Sequence, residues 1–303
     1  MTDQAKALTA RTANSRQVFW RDFLELTKPK VVALMILTSV IGMLLATPGM
    51  PGWTVLIFGN LGIALLAGAA AVVNHVVDQK IDTVMARTRR RPVATGRVSQ
   101  TDALLFAVLL ALTGMLVLVW QVNALTAWLT LASLVGYAGV YTLFLKRATP
   151  QNIVIGGLAG AMPPLLGWTA VTNQVDGHAL LLVLIIFAWT PPHFWALAIH
   201  RKEEYAKAGI PMLPVTHGNR YTELHILLYT LILLAVTLLP FATGMSGWIY
   251  LAGATALGLR FLQYAVRLLR GDDRRVALAT FKYSITYLMV LFVVLLVDHY
   301  FYI

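Results

Sequence analysis

The stretch N-H-V-V-D-Q-K-I-D-T-V-M-A-R-T-R-R-R, residues 74–91, follows a long apolar run that starts at Val55. If the helix formed by that run continues, Asn74, Asp78 and Asp82 recur every four residues and lie on one face at the membrane edge. Two carboxylates one turn apart repel each other, and a divalent cation between them reverses that effect. Magnesium suits such a site because it takes few carboxylates and completes its shell with water and substrate phosphates. The spacing therefore predicts that these three side chains hold Mg²⁺ and act in catalysis.

Arginines follow the second aspartate closely, at Arg87, Arg89, Arg90 and Arg91. Clustered guanidiniums are good partners for phosphate oxygens. Basic residues after a transmembrane helix also mark topology, and two acids among them are compatible with ordinary interfacial charge. Acidic groups inside a membrane are costly, however, so the regular spacing together with the arginines favours a site that binds a metal and a diphosphate.

The composition is that of a polytopic membrane protein. Of the 303 residues, 58% are hydrophobic and only 12% are charged, and the mean hydropathy is +0.73. The chain has no cysteine, which excludes disulfides, thiolate metal sites and thioether-linked haem. The net charge of +11 is explained by basic loops that face anionic lipid, so nucleic acid is not an expected partner.

The hydropathy pattern predicts an all-α protein with nine transmembrane helices, since about 20 apolar residues cross a bilayer. The predicted spans are 31–46, 55–77, 103–122, 125–145, 152–171, 179–199, 224–243, 248–269 and 276–297. Residues 1–28 form a polar, basic N-terminal segment without the apolar core of a secretory signal, and 29–303 form the transmembrane domain. Connections 47–53, 123–124, 172–178 and 244–247 and the tail 298–303 contain no Lys or Arg. The positive-inside rule therefore predicts a cytoplasmic N-terminus and a C-terminus on the opposite face.

Lys146 and Arg147 close the fourth predicted helix on the same face as Asp78. Two interpretations are open. Either both residues determine topology, with side chains that reach the membrane interface, or they add positive charge to the diphosphate pocket.

Two proline pairs, Pro163-Pro164 and Pro191-Pro192, remove backbone donors deep in the fifth and sixth helices. Such positions kink a helix or line a wet cavity, and His193 directly after the second pair favours the cavity. His193 is a candidate to bind haem iron, to donate to a propionate or to transfer a proton. Trp195 would line a pocket for a flat substrate, and His200 lies about two turns further along the same face.

The connection 205–218 is apolar for a loop in solvent, with Ile210, Met212 and Leu213 between two prolines. It is interpreted as a lid over a cavity, with attachment to the bilayer surface as the alternative.

The N-x-x-x-D-x-x-x-D motif at 74–82 resembles the UbiA superfamily of intramembrane prenyltransferases. Four further blocks resemble one branch of it, the protohaem IX farnesyltransferases. These are M-x-R-T-x-x-R-P at 85–92, Y-T-x-x-L-K-R-x-T-P-x-N-I-V-I-G-G at 141–157, P-P-H-F-W-A-L-A-I at 191–199 and G-I-P-M-L-P-V at 209–215. The similarity runs from about Thr27 to the C-terminus.

The resemblance implies a nine-helix bundle around a central cavity, in the bacterial inner membrane with the active site toward the cytoplasm. It implies transfer of farnesyl from farnesyl diphosphate to a vinyl group of haem b, which is substrate rather than cofactor, with water addition to give haem O for haem-copper oxidases. Asn74, Asp78 and Asp82 match the metal–diphosphate motif of the superfamily. Arg87 and Arg91 match the arginines beside it, and Lys146 matches the basic residue that closes the fourth helix. Haem A synthase is a partner implied by the family alone.

The chain departs from the superfamily pattern at one point. Many members carry a second aspartate-rich motif at the end of the sixth helix, where His193 stands in the first acidic position. Glu203 and Glu204 lie nearby without reproducing the spacing, which puts a second magnesium in doubt. The alternatives are a prenyltransferase of an aromatic quinone precursor, a secondary transporter, and a non-catalytic scaffold in which both aspartates are replaceable.

Overall fold

The computed structural model of the protein describes residues 20–271 and 274–302, without the side chains of Arg147, Arg274 and Tyr302. Every regular element in these residues is a helix. The first 19 residues of the predicted N-terminal segment lie outside the described part of the chain. The helices are α1 Trp20–Leu26, α2 Pro29–Leu45, α3 Val55–Val77, α4 Gln79–Val84, α5 Gln100–Gln121, α6 Ala124–Leu145, α7 Asn152–Thr172, α8 Gly177–His200, α9 Lys202–Lys207, α10 Leu213–Thr216, α11 Gly218–Ala242, α12 Trp248–Gly271 and α13 Arg274–Tyr302.

Eight of the described helices are long and apolar enough to cross a membrane, and the pair α1 and α2, bent by 51°, gives a ninth. Their outer surfaces are apolar, as on α5, where Leu105, Leu109 and Leu112 are each about three-fifths exposed (64%, 61% and 59%). A surface of this kind is stable against lipid rather than water. The predicted multi-pass, all-α membrane fold is confirmed.

Most predicted ends lie within about three residues of the observed helix ends. The end of α13, at Tyr302 rather than 297, and the start of α11 are exceptions. α11 begins at Gly218 rather than at 224. Its first turns carry the polar residues Asn219, Arg220 and Glu223. These residues lower the mean hydropathy, so the predicted span starts later although the backbone is already helical.

Glycines set the distances between several helices. An added Cβ on Gly167 of α7 would overlap the carbonyl oxygen of Ser39, and one on Gly42 of α2 would overlap that of Pro164. Gly62 of α3 packs in the same way against Gly114 and Leu118 of α5. Small residues thus let these helix backbones approach closely.

The two proline pairs behave differently. α7 is interrupted at Met162, directly before Pro163. α8 runs unbroken from Gly177 to His200 with Pro191 and Pro192 inside it. The missing backbone donors do not end the sixth helix, because it is buried between α7, α11 and α13 and their packing keeps its backbone helical.

The connections 78–99 and 201–217 lie at one end of the bundle, called here the basic end. α1 packs at this end. Asp22 forms an ion pair with Arg97 of the first connection, and Phe23 meets the edge of Phe106 on α5. α1 is therefore tied to the connection that carries the candidate site.

Candidate functional site

Asn74, Asp78 and Asp82 come together inside the bundle, 4%, 2% and 3% exposed. The helix does not continue unbroken through them as expected. α3 ends at Val77, Asp78 has φ −84° and ψ 0°, and α4 begins at Gln79. The four-residue hydrogen bonds persist nevertheless, from the Asp78 amide to the Asn74 carbonyl at 3.0 Å and from the Asp82 amide to the Asp78 carbonyl at 2.8 Å. The three side chains are buried in protein and do not face lipid.

Three cationic side chains surround this carboxylate cluster. Lys146, at the end of α6, donates to Asp78 Oδ2, and Lys28 donates to Asn74 Oδ1. Arg91 Nη1 donates to both Asp82 oxygens, at 2.9 and 2.8 Å. Each of the two buried carboxylates is thus paired with a cation, which offsets the cost of burying its charge.

The chemistry of the cluster fits a magnesium ion. Asp78 Oδ1 is buried and has no hydrogen-bond partner among the described residues. It stands beside Asn74, whose amide donates to the other oxygen of Asp78 at 2.9 Å. Two carboxylates and one amide form the oxygen donor set that Mg²⁺ takes when substrate phosphates and water supply its other ligands. No group of three or more His, Asp or Glu side chains that could hold a metal occurs in the residues described, so a site here is completed from outside the protein.

The last turns of α6 are wider than an α-helix, with π-helical geometry from Gly136 to Leu145. This segment carries Thr142, whose hydroxyl lies 3.4 Å from Asn74 Nδ2, and it leads directly to Lys146. Local π geometry frequently marks functional sites. Lys146 thus reaches the carboxylates, and the side chain of Arg147 lies outside the described residues.

Beside the cluster lies an open groove of about 480 Å³, called here the α1–α3 groove. Arg87, Thr88 and Arg91 line one side, and Arg21 and Lys28 line the other. Arg89 and Arg90 are exposed and do not line it. Partial burial lowers the pKa of Arg87. The nearby Tyr205 raises this pKa, and the positive charges of Arg91 and Arg201 lower it further.

His193 is enclosed rather than exposed to a cavity. Its ring is stacked between Trp189 and Phe281, with centroids 4.1 and 4.6 Å away, and Nδ1 lies 2.7 Å from Ser284 Oγ. Both faces of the ring are covered and Nδ1 contacts Ser284, so Nε2 is the ring nitrogen for which the structure describes no contact. These contacts join α8 to α13, whereas the contacts of the aspartates join α3 and α4 to α6 and the arginine connection.

The other two candidates on α8 lie apart from the carboxylates as well. Trp195 is fully buried and meets the edges of His225 and Tyr229 on α11, and its Nε1 has no partner in the described part of the chain. His200 Nδ1 is enclosed and also without a described partner. Neither residue has a described hydrogen bond or ion pair with the carboxylate cluster, although Trp195 shares an apolar cluster with Met85.

The connection 205–218 packs onto the protein. Ile210, Met212 and Leu213 are 3%, 5% and 1% exposed and share an apolar cluster with Met85, which follows α4. Attachment to the bilayer surface would leave these side chains outside the protein. The packing favours the interpretation as a lid, and burial raises the pKa of Tyr205 at its start.

Two residues of the site were not predicted from the sequence. Lys28 was assigned to the polar N-terminal segment, although Lys28-Pro29-Lys30 directly before an apolar run was a usable signal. His75 was passed over between Asn74 and the first aspartate. It is 2% exposed, lines the α1–α3 groove, and neither ring nitrogen has a described partner.

Comparison with known proteins identifies the family and the fold. The model of the UbiA prenyltransferase family matches residues 35–296. The chain is 89% identical over 283 residues to the protoheme IX farnesyltransferase of Marinobacter nauticus, covering 93% of this chain and 94% of the relative. Among solved structures, one concerned with digeranylgeranylglyceryl phosphate synthase superposes with a TM-score of 0.80 at 17% identity, over 93% of this chain and 98% of that one. A UbiA homologue from Archaeoglobus fulgidus bound to DMAPP and Mg²⁺ superposes with a TM-score of 0.63 at 16% identity, over 90% and 99%.

Proposed function

The chain belongs to the UbiA prenyltransferase family, and we propose that it transfers the farnesyl group of farnesyl diphosphate to a vinyl group of haem b, with addition of water, to give haem O. The observation that carries the proposal is near-identity along almost the whole chain with a relative of that activity. Asn74, Asp78 and Asp82 are buried, and Asp78 Oδ1 has no hydrogen-bond partner among the described residues. These side chains are the proposed site of the activity.

Magnesium bound by Asp78 and Asp82, with the amide oxygen of Asn74, would hold the diphosphate and neutralise charge on the leaving group. The magnesium-bound relative with the same fold supports this assignment. Arg91 and Lys146 already contact the aspartates, so their remaining N–H groups are placed to donate to phosphate oxygens that reach those carboxylates. Arg87 and Arg147 are proposed to add charge-assisted hydrogen bonds to the same diphosphate.

The reaction balances as follows. The C1–O bond of farnesyl diphosphate breaks, and its electron pair leaves with the diphosphate. The π electrons of the haem vinyl group form the new C–C bond to C1. The carbocation left beside the porphyrin ring is captured by one water, which then loses a proton. The buried setting and the packed lid of Ile210, Met212 and Leu213 exclude bulk water from the allylic cation.

His193 is proposed to position the haem or the water that is added, through its Nε2 edge. Ser284 and the two stacked rings fix the orientation of the imidazole, which is what a positioning role requires. Trp195 and His200 are proposed to shape the pocket behind it.

The protein is proposed to lie in the bacterial inner membrane. The basic end of the bundle is proposed to face the cytoplasm, because the connections at the other end carry no Lys or Arg. Haem A synthase is proposed as the partner that consumes the product, and co-purification of the two proteins tests it.

An acceptor assay tests the function. Purified protein is incubated with farnesyl diphosphate and Mg²⁺, and pyrophosphate release is measured with haem b or with hydroxybenzoate. Release that depends on haem b is the expected result. Release only with hydroxybenzoate would assign the chain to quinone-precursor prenylation, and no release with either would favour a transporter or scaffold.

A further inference from the structure

Two stacked tyrosines lie near the end of α6, one and two turns before Lys146. The ring centroids of Tyr137 and Tyr141 are 5.5 Å apart, and the ring planes are 26° from parallel. Both side chains are half-buried, and neither hydroxyl has a hydrogen-bond partner among the described residues. The assignment of the metal and the diphosphate leaves these two rings without a role.

The π-helical geometry of this segment decides which side chains share its face. In an α-helix the nine residues from Tyr137 to Lys146 make about two and a half turns, which would place the two side chains on opposite sides. The i→i+5 hydrogen bonds of a π-helix give about 4.4 residues per turn, so the same nine residues make about two full turns. The Lys146 amide bonds to the Tyr141 carbonyl in this way. Both tyrosines therefore lie on the face from which Lys146 donates to Asp78.

The environment of the pair places Tyr137 at the carboxylate cluster. An added Cβ on Gly156 of α7 would overlap Cδ2 and Cε2 of Tyr141, so the backbone of α7 lies against that ring. Tyr137 stacks on Tyr141 and has no further ring or cation contact in the described part of the chain. The charges of Asp78 and Arg91 act on its hydroxyl, which puts this ring beside the site rather than in lipid.

The order of residues along α6 fits the path of a prenyl diphosphate. Lys146 lies at the basic end of the bundle, and Tyr141 and Tyr137 precede it, toward the interior. The apolar chain of a donor whose diphosphate contacts Lys146 must run in the same direction. Its allylic carbons, which come directly after the diphosphate, then lie next to the two rings.

We propose that the ring face of Tyr137 stabilises the allylic cation of the farnesyl donor, with Tyr141 as the positioning residue behind it. This inference rests on the proposed function. Cleavage of the C1–O bond sends its electron pair to the diphosphate, and C1 and C3 share the positive charge that is left. The negative face of an aromatic ring attracts such a charge without forming a bond, and the attraction is stronger where water is excluded. The cation is then consumed by the π electrons of the acceptor, and the ring is unchanged.

The test varies the electron density of the ring while keeping its shape. Phenylalanine and its mono-, di- and trifluorinated forms replace Tyr137 in the full-length protein, and Tyr137→Leu removes the ring. The single-turnover rate is measured as pyrophosphate release with haem b. Donor affinity is measured with farnesyl thiodiphosphate, an analogue that ionises far more slowly. The matched control is the same series at Tyr264 of α12, which stacks on Tyr283 with centroids 4.8 Å apart.

Each fluorine withdraws electron density from the ring face and weakens its attraction for a cation. The rate is expected to fall about threefold per fluorine and about 30-fold in Tyr137→Leu, since a desolvated cation–π contact contributes that much. The affinity for the analogue should change little, and the Tyr264 series should keep the unmodified rate. Because the fluorinated rings keep their shape, the test stands even if Tyr137→Leu does not fold.

A rate that does not respond to fluorination would assign Tyr137 to packing and overturn the inference. A loss of analogue affinity in proportion to the rate would also overturn it, since the ring would then bind the uncharged chain. Failure of the proposed function looks different. Turnover with hydroxybenzoate instead of haem b would change the acceptor, and the same series is then measured with that acceptor. No turnover of the unmodified protein with either acceptor would overturn the proposed function and this inference with it.

Discussion

A single guanidinium nitrogen of Arg91 donates to both carboxylate oxygens of Asp82, at 2.9 and 2.8 Å. Lys146 donates to one carboxylate oxygen of Asp78, Oδ2. The protein's own cations therefore occupy part of the space that a metal and a diphosphate need. Binding of the metal and binding of the diphosphate should consequently be coupled. The metal gives the two carboxylates a new partner, and the diphosphate gives Arg91 and Lys146 a new partner.

This coupling is measurable with Mn²⁺ as a probe for Mg²⁺. Without diphosphate, the ion must compete with Lys146 and Arg91 for the aspartates. Pyrophosphate accepts hydrogen bonds from those cations, and so Mn²⁺ affinity measured by electron paramagnetic resonance is expected to rise about tenfold in its presence. By linkage, pyrophosphate affinity should rise by the same factor with Mn²⁺. Independent binding of the two would contradict the arrangement.

Asp78→Asn is expected to lower kcat by about 10²–10³-fold, because the variant loses the charged oxygen offered to the metal. An amide fits the same space, so the variant should fold, but its thermal unfolding temperature is expected to fall because Lys146 loses its charged partner. Asp102→Asn at the exposed start of α5 is the matched control and should leave activity unchanged. Near-normal turnover of Asp78→Asn would remove this residue from the metal site.

Part of this site was predictable from sequence and part was not. The four-residue spacing of Asn74, Asp78 and Asp82 is local, so a helical period was enough to gather them. The basic stretch before the first span points to Lys28, but its contact with Asn74 and the burial of His75 depend on how α1 and α2 pack against α3. In the same way, hydropathy located the spans because it measures what lipid requires. It could not locate the start of α11, where Arg220 and Glu223 are polar yet helical.

His193→Ala removes a ring that is stacked on both faces, and the cavity should destabilise the protein by about 3 kcal/mol. His193→Phe keeps the stacking and loses the polar contact with Ser284. If His193 positions the acceptor, His193→Phe should raise the KM for haem several-fold while leaving magnesium pyrophosphate affinity unchanged. Unchanged kinetics in His193→Phe, with loss of stability alone in His193→Ala, would assign the residue to packing.

Gly167→Ala tests the close approach of α2 and α7. The added methyl group would overlap the Ser39 carbonyl oxygen, and separating the two backbones costs about 1–3 kcal/mol. We expect a lower unfolding temperature in detergent. Gly160→Ala, in the preceding part of α7, meets no atom within 4 Å and should be neutral. Equal behaviour of the two variants would contradict the packing described for this helix pair.

The most direct test of the central claim is mass spectrometry of haem extracted after incubation of the purified protein with haem b, farnesyl diphosphate and Mg²⁺. Farnesylation with water addition predicts a product heavier than haem b by one farnesyl group and one hydroxyl, formed by the unmodified protein and not by Asp78→Asn. Haem recovered unchanged from an incubation in which pyrophosphate is released, or a product formed equally by Asp78→Asn, would contradict the account.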